Sequence, residues 1–286
     1  MSIQDFGNEL LIHRPQNLTS EEPLFARDAP SQSKSHSLKP AVPDDSLGFP
    51  NIAILKDLNL ADREIQIQAL ELLRTRRMPT HSTIYAAPKQ FVIVILVSSH
   101  GPRLNEHLND HLFISHYHDS EDGFSNLEED SEWIEDDRAS LNSVVRPFAN
   151  RSKHWATLFT QMDVQLLAEL SKKVTVTAEI KAYLQNIVTF LRLHRAVGGG
   201  ISPRATQHFD ILVRSLAPLH GLDFVTPSLV SLAARKIYGH RISICAPENE
   251  RSMQYGSDLT AISVLLEDMT AADVVEEVLA AVEEPL

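Results

Sequence analysis

Gly200-Ile-Ser-Pro-Arg-Ala205, Gly221-Leu-Asp-Phe-Val-Thr-Pro227 and Gly239-His-Arg-Ile242 are three short stretches that organise the C-terminal half of the chain. In the first, Ser202 stands directly before Pro203; in the second, Thr226 stands directly before Pro227. A hydroxyl at the N-cap accepts an otherwise orphaned backbone N–H, and proline at the first helical position gives up an N–H that has no partner there. Each pair therefore predicts a helix start. Phe209, Leu212, Val213 and Leu216 share one face of the first helix, with Gly221 as its stop. Leu229, Leu232, Ala233 and Ile237 point inward from the second, which ends near Gly239-His240-Arg241.

Working outward, the chain reads as helical from Lys153. Trp155, Leu158, Phe159, Met162, Leu166, Leu167 and Leu170 fit one amphipathic helix. Ile180, Leu184, Ile187, Val188, Leu191 and His194 fit another, for which Gly198-Gly199-Gly200 is the expected terminator. Beyond the quoted motifs, residues 258–282 are acidic and amphipathic, and Thr270-Ala-Ala-Asp273 makes a cap-like start to the last segment.

The N-terminal half has a different texture. Pro15, Pro23, Pro30, Pro40, Pro43 and Pro50 are interleaved with Ser, Gln and Lys, so residues 1–50 are expected to be a disordered tail. Leu10 to Arg14 alone hints at an ordered element. Order is expected from Asn51-Ile-Ala-Ile-Leu55, a strand. Asp62 then opens a helix with Ile65, Ala69, Leu72 and Leu73 on one face and Arg74, Arg76 and Arg77 closing it. Ser82 to Ala86 and Phe91 to Ser98 follow as strands, the second apolar on both faces and so expected to be covered on both.

Composition narrows the function classes. The 286 residues carry 26 Lys and Arg against 38 Asp and Glu, a formal charge of −12 that argues against an extended nucleic-acid footprint. Ten of the acids lie between Asp119 and Asp137, with no base among them. That stretch reads as a solvated loop, with an acidic bait for a basic partner as the lesser possibility. No run approaches the roughly 20 apolar residues of a membrane helix. The N-terminus lacks the basic start and apolar core of a secretory signal. Cys245 is the only cysteine, which excludes an internal disulfide and fits an intracellular protein, cytoplasmic or nuclear.

The three quoted motifs together resemble the helical lid of the MoxR and magnesium-chelatase group of AAA+ ATPases. That lid shows G-x-S-P-R-A, a helix, G-R-D-Y-V-x-P-x-D-V, a helix and H-R. The resemblance extends faintly upstream. Ile52 to Leu73 is similar to the strand carrying the Walker B motif and its following helix, with Lys56-Asp57 in place of Asp-Glu and Asn59 where the family often has Asn or His. Phe91 to Ser99 resembles the sensor-1 strand. Asp110-His111-Leu112-Phe113 stands where the family has Asp-Arg-Phe. The expected fold is thus an α/β remnant of an AAA+ core with few strands, followed by an all-α lid, mainly helical overall. Its divisions would be a tail 1–50, a partial core 51–118, an acidic disordered loop 119–150, a helical lid 151–245 and an acidic helical tail 246–286.

The departures bear on function. No glycine in the chain is followed by lysine, so no G-x-x-x-x-G-K-[S/T] phosphate loop is present. Lys56 falls where the family places the aspartate that holds magnesium, and an ammonium repels that ion. The sensor-1 position falls on Ser98 or Ser99, and the arginine-finger position on His111. Three residues remain as candidates: Asp57 as a carboxylate base, and Arg204 with Ser202 as nucleotide-binding groups in the first turn of a lid helix. Each has a structural reading beside it. Asp57 is a strand-end polar residue, Arg204 a packing residue, and Lys56 a surface charge that neutralises a nearby carboxylate.

His107, His111, His116 and His118 next to Asp119 are a weak zinc candidate without H-E-x-x-H or paired Cys, and no metal site is assigned. Cys245 lacks any nucleophile motif. The expected function is a non-hydrolysing assembly or regulatory module. ATP and Mg²⁺ enter only through the resemblance, and no cofactor is expected for the chain itself. The resemblance implies protein partners: ring neighbours, or a subunit with an integrin-like domain. Neither nucleic acid nor membrane is expected. The alternative is an ATPase subunit of the magnesium-chelatase type, acting in ATP-dependent metal insertion or remodelling, whose N-terminal core is missing from this sequence. A third reading is an adaptor using the acidic loop and the C-terminal helix.

Overall fold

A computed structural model describes residues 6–7, 9–13, 47–80, 84–98, 101–118 and 159–285. The acidic stretch, Ser99, Trp155, Leu158 and most of the expected tail lie outside the described residues. The chain divides into two compact units, Met1–Leu112 and Phe113–Leu286.

The first unit is α/β. Strands β1 (Ile12–His13) and β2 (Leu47–Gly48) form an antiparallel pair, and β3 (Ile52–Lys56) runs parallel to β6 (Val92–Leu96). Between them come helix α1 (Arg63–Thr75) and the antiparallel strands β4 (Arg77–Pro79) and β5 (Ile84–Ala86); helix α2 (Glu106–His111) follows β6. The parallel pairing needs a crossover, and the segment from α1 to β5 supplies it. Phe6, Ala53, Leu58, Ile65, Ala69, Leu72, Met78 and Leu108 form the core.

Four expectations for this unit need correction. Residues 6–7, 9–13 and 47–50 are not wholly tail, because Phe6 and Leu10 are buried in that core and β1 pairs with β2. Arg77 is not helical: α1 stops at Thr75, Arg76 takes a left-handed conformation at φ 55°, and Arg77 starts β4. Among the described residues β6 is covered on one face only. Ile93 and Ile95 pack against the core, whereas Val92, Val94 and Leu96 are exposed together with Ile52 and Ile54. A central strand is covered on both faces only when layers lie on each side; β3 and β6 form a sheet of two strands with its helix-packed core on one side. Finally, residues 113–118 group with the second unit rather than with the partial core. The Ser115 amide donates to the Lys236 carbonyl (3.0 Å), and the Phe113 ring meets His208 edge-on.

The second unit is helical: α3 (Gln161–Lys173), α4 (Ala178–Leu193), α5 (Pro203–Leu219), α6 (Pro227–Tyr238), α7 (Leu259–Leu266) and α8 (Ala271–Ala281). The caps form as expected. Ser202 Oγ accepts from the Ala205 amide, Thr226 Oγ1 from Leu229, and Thr270 with Asp273 closes a reciprocal capping box. Ile187, Val188, Leu191, Phe209, Val213, Val230, Ala233 and Ile237 are fully or almost fully buried in one core. Ile262, Leu266, Val274, Val275, Val278 and Val282 join the same core, so residues 246–286 are integral to this unit rather than a tail upon it.

Two helix expectations differ. α4 ends at Leu193, and Gly198–Gly199 lie in strand β7 (Val197–Gly199), which pairs antiparallel with β8 (Ser243–Ile244). The glycines are there because the backbones come close, not to stop the helix. A Cβ on Gly198 would sit 3.1 Å from Cys245 Cα, and one on Gly200, at φ +100°, 2.1 Å from the Arg241 carbonyl. α3 keeps its capping box at Thr160–Asp163 but buries none of its residues; Met162, Leu166 and Leu170 are exposed along one stripe.

Candidate functional site

Lys56 and Asp57 stand at the C-terminal end of β3, the usual place for polar residues that serve a parallel sheet. The Asp57 amide donates to the Leu96 carbonyl (2.8 Å), tying the strand end to β6, and the Asp57 carbonyl accepts from Leu60 (3.0 Å). Asp57 takes φ 54°, in the left-handed region that aspartate tolerates better than most residues. The turn that results carries Leu58 and Asn59 inward. Asn59 Nδ2 donates to the Pro102 carbonyl (3.0 Å), which holds the loop after β6 against the end of β3. Gln66 plays a matching role: its Oε1 accepts from the Asn105 amide (2.8 Å) at the start of α2.

The remaining sequence candidates of this unit occupy ordinary structural positions. Ser98 follows β6 and its carbonyl accepts from Gly101. His111 closes α2, with Nδ1 at 2.9 Å from the His107 carbonyl. Among the described residues no three His, Cys, Asp or Glu side chains converge in a way that could hold a metal ion. His116 instead lies 2.9 Å from Lys236 Nζ in the second unit.

Ser202 and Arg204 belong to the second unit, at the start of α5. Ser202 Oγ is engaged as the N-cap (3.0 Å from the Ala205 amide), and Arg204 is half-buried in the first turn. Asp57 therefore lies in one unit, and Ser202 with Arg204 in the other. The second unit also buries Arg241. Its Nη1 donates to the Ile237 carbonyl (2.7 Å) and its Nη2 lies 2.8 Å from His208 Nδ1. In the sequence Arg241 is legible only as the second letter of His-Arg. Its role as the post that binds the end of α6 to α5 and to Phe113 needs the fold.

Cys245 shows no sign of activation. Burial pushes its thiol up from the ordinary value, and Sγ donates to the Arg195 carbonyl (3.3 Å).

Residues 189–261 match the family model of the AAA lid domain. Two curated relatives share one name, maintenance of telomere capping protein 2. The protein of Lachancea thermotolerans is 31% identical over 119 residues, which covers 40% of this chain and 42% of that protein. The protein of Kluyveromyces lactis is 26% identical over 92 residues, 30% of this chain and 34% of that one. The matches thus span less than half the length of either relative. A crystal structure of a Cytophaga hutchinsonii protein, described as an ATPase, shares the fold with a TM-score of 0.57 over 84% of this chain and 70% of that chain, at 17% identity. Residues 189–261 are thus similar to an AAA lid domain, and the fold is mainly helical with a small α/β part. Among the described residues no helix is long and apolar enough to cross a membrane.

Proposed function

We propose that this chain is an AAA+-type assembly or regulatory module, of the MoxR and magnesium-chelatase kind, that does not hydrolyse ATP by itself. One observation carries the reading: an exposed lysine, Lys56, ends β3 beside Asp57, where that chemistry requires a magnesium-holding carboxylate. A lone carboxylate next to an ammonium does not fit a divalent ion, since the ion gains from one charge what it loses to the other. The sequence also offers no glycine–lysine phosphate loop to seat the β- and γ-phosphates. On this reading Asp57 braces the strand end and Ser202 caps α5. Arg204, the one residue with a family role in sensing phosphate, has no magnesium nucleotide to report on.

Protein partners follow from the class, since AAA lids work within assemblies; ring neighbours or an integrin-like-domain subunit are the proposed kinds. The name shared by the two curated relatives makes maintenance of telomere capping, and hence the nucleus, the first setting in which to look for them. The second reading, an ATPase subunit whose phosphate loop is supplied outside this sequence, is favoured by the fold shared with the Cytophaga hutchinsonii protein.

Calorimetry with ATP, with and without Mg²⁺, tests the proposal. The expected result is no magnesium-dependent binding tighter than about 1 mM, or about −4 kcal/mol. A micromolar, magnesium-dependent dissociation constant that weakens in Arg204→Ala overturns it in favour of the second reading.

A further inference from the structure

After α4 the chain runs through β7 into the Ser202 cap. Two neighbouring cavities, of about 520 Å³ and about 300 Å³, open along this segment and share Val197, Gly198 and Arg251. Arg195 lines the larger, Arg192 the smaller, and Arg251 both; no aspartate or glutamate among the described residues lines either.

The guanidinium groups of Arg192 and Arg251 are fixed by neutral acceptors. Arg251 donates Nη1 to the Leu193 carbonyl (3.2 Å) and Nη2 to the Arg192 carbonyl (2.5 Å). These carbonyls belong to the electronegative end of α4, where a cation is favoured. Arg192 donates Nε to the Ile201 carbonyl (3.3 Å) and Nη2 to the Thr206 hydroxyl (3.4 Å). Among the described residues only Arg195 of the three pairs with a carboxylate, Glu250 Oε1 at 3.5 Å, and the other oxygen of Glu250 takes the Ser252 amide and hydroxyl. That carboxyl is lowered from its ordinary value by the Ser252 hydroxyl first, then the Ser252 amide, with Arg195 and Arg251 adding to the effect. Glu250 thus faces Arg195 and Arg251, while the Arg192 guanidinium is held by Ile201 and Thr206. The local excess of positive charge stands in a chain of net charge −12.

Each arginine has five N–H donors and the bonds above use two of each, so the two residues that line the smaller cavity hold further donors beyond those bonds. A single fork saturates a carboxylate, which offers two oxygens; two forks suit a tetrahedral oxyanion with three or more. Gly198, Gly199 and Gly200 line the same cavity and place no side chain between a ligand and the backbone.

We propose that the cavity between Arg192, Arg251 and the Gly198–Gly200 segment is an oxyanion site that takes a phosphate group of a small molecule. It uses neither Asp57 nor Arg204 and needs no magnesium; Ser202, which also lines the cavity, has its hydroxyl engaged as the α5 N-cap.

The test titrates the full chain with pyrophosphate in magnesium-free buffer at constant ionic strength, read by calorimetry and amide chemical shifts. Saturable binding is expected, with a dissociation constant at or below about 1 mM. Shifts should centre on Gly198–Gly200 and Arg251, and Arg192→Gln with Arg251→Gln should weaken binding by about tenfold or more. Arg195→Gln should weaken it less. Because Arg251 also holds the end of α4, circular dichroism checks the double variant; if that variant does not fold, the shift map on the native chain decides. No saturation by about 10 mM overturns the proposal, as do shifts centred elsewhere or tighter binding of a glutamate-rich peptide than of pyrophosphate. Binding strengthened by Mg²⁺ with ATP counts against the reading of the preceding section and not against this site.

Discussion

Gly200 and Gly221 both adopt positive φ, at +100° and +70°, yet their surroundings are opposite. A Cβ on Gly200 would fall 2.1 Å from the Arg241 carbonyl oxygen and 2.5 Å from its carbon, both backbone atoms that cannot rotate away. A Cβ on Gly221 would have nothing within 4 Å. Gly221→Ala should therefore lose only the conformational term, about 1 kcal/mol. Gly200→Ala must also push β7 from the Arg241 backbone, and a loss well above about 2 kcal/mol is expected. Thermal unfolding of the two variants checks this, and equal losses would show that the approach to Arg241 is not tight in solution. The contrast also marks what a reader of the sequence can see at this scale. Gly221 is legible as a helix stop because that role is settled within one turn. Gly200 looked the same in sequence, and only Arg241, far along the chain, shows that it serves a close approach.

Helix starts show the same locality in a larger unit. Ser202, Thr226 and Thr270 were readable as caps because a cap, its proline and its third-residue partner sit within four positions. What each helix buries was less readable, since burial depends on neighbours distant in sequence. α4 and α3 have comparable apolar stripes; α4 is enclosed by α6 and α8, and α3 has none of its residues buried. The arginine cavity is hidden for the same reason, because Arg192 and Arg251 meet only when the 3-10 turn Arg251–Tyr255 returns to the end of α4.

The caps also carry a pH signature. The Asp258 and Asp273 carboxyls are held below the ordinary 3.8 by the Thr260 and Thr270 hydroxyls and backbone amides. The Thr160 amide, then its hydroxyl, does the same for Asp163. A carboxyl lowered in the folded state binds fewer protons there than in the unfolded chain. Its contribution is complete above the ordinary carboxylate value and is lost as pH falls through the lowered one. The melting temperature should be flat from neutral pH to about 5 and fall below about 4, with a shallower fall in Thr270→Val. An unchanged slope in that variant would remove the α8 cap from the explanation.

The two units differ in how fully they satisfy their apolar residues, and this is the difference on which composition was silent. The helical unit encloses a continuous core drawn from α4 to α8, to which residues 262–282 contribute a large share. The α/β unit buries one side of its parallel pair through Ala53, Leu55, Ile93 and Ile95, and leaves Ile52, Ile54, Val92 and Val94 exposed at 61%, 66%, 54% and 39%. An unbroken apolar run such as Phe91 to Val97 normally signals a strand inside a larger sheet, so the sequence and the two-stranded pairing pull apart here. The structure makes the consequence measurable within one unit. Ile54→Thr keeps a β-branched side chain on an exposed face and should change stability by no more than about 0.5 kcal/mol. Leu72→Ala removes a fully buried side chain of α1 and should cost about 2–5 kcal/mol, the transfer of the lost methyl groups plus the cavity they leave. Denaturant unfolding of both variants compares them directly. If Ile54→Thr proves as costly as Leu72→Ala, the outer face of β3 and β6 is covered in solution, and the α/β unit is larger than its two-stranded sheet.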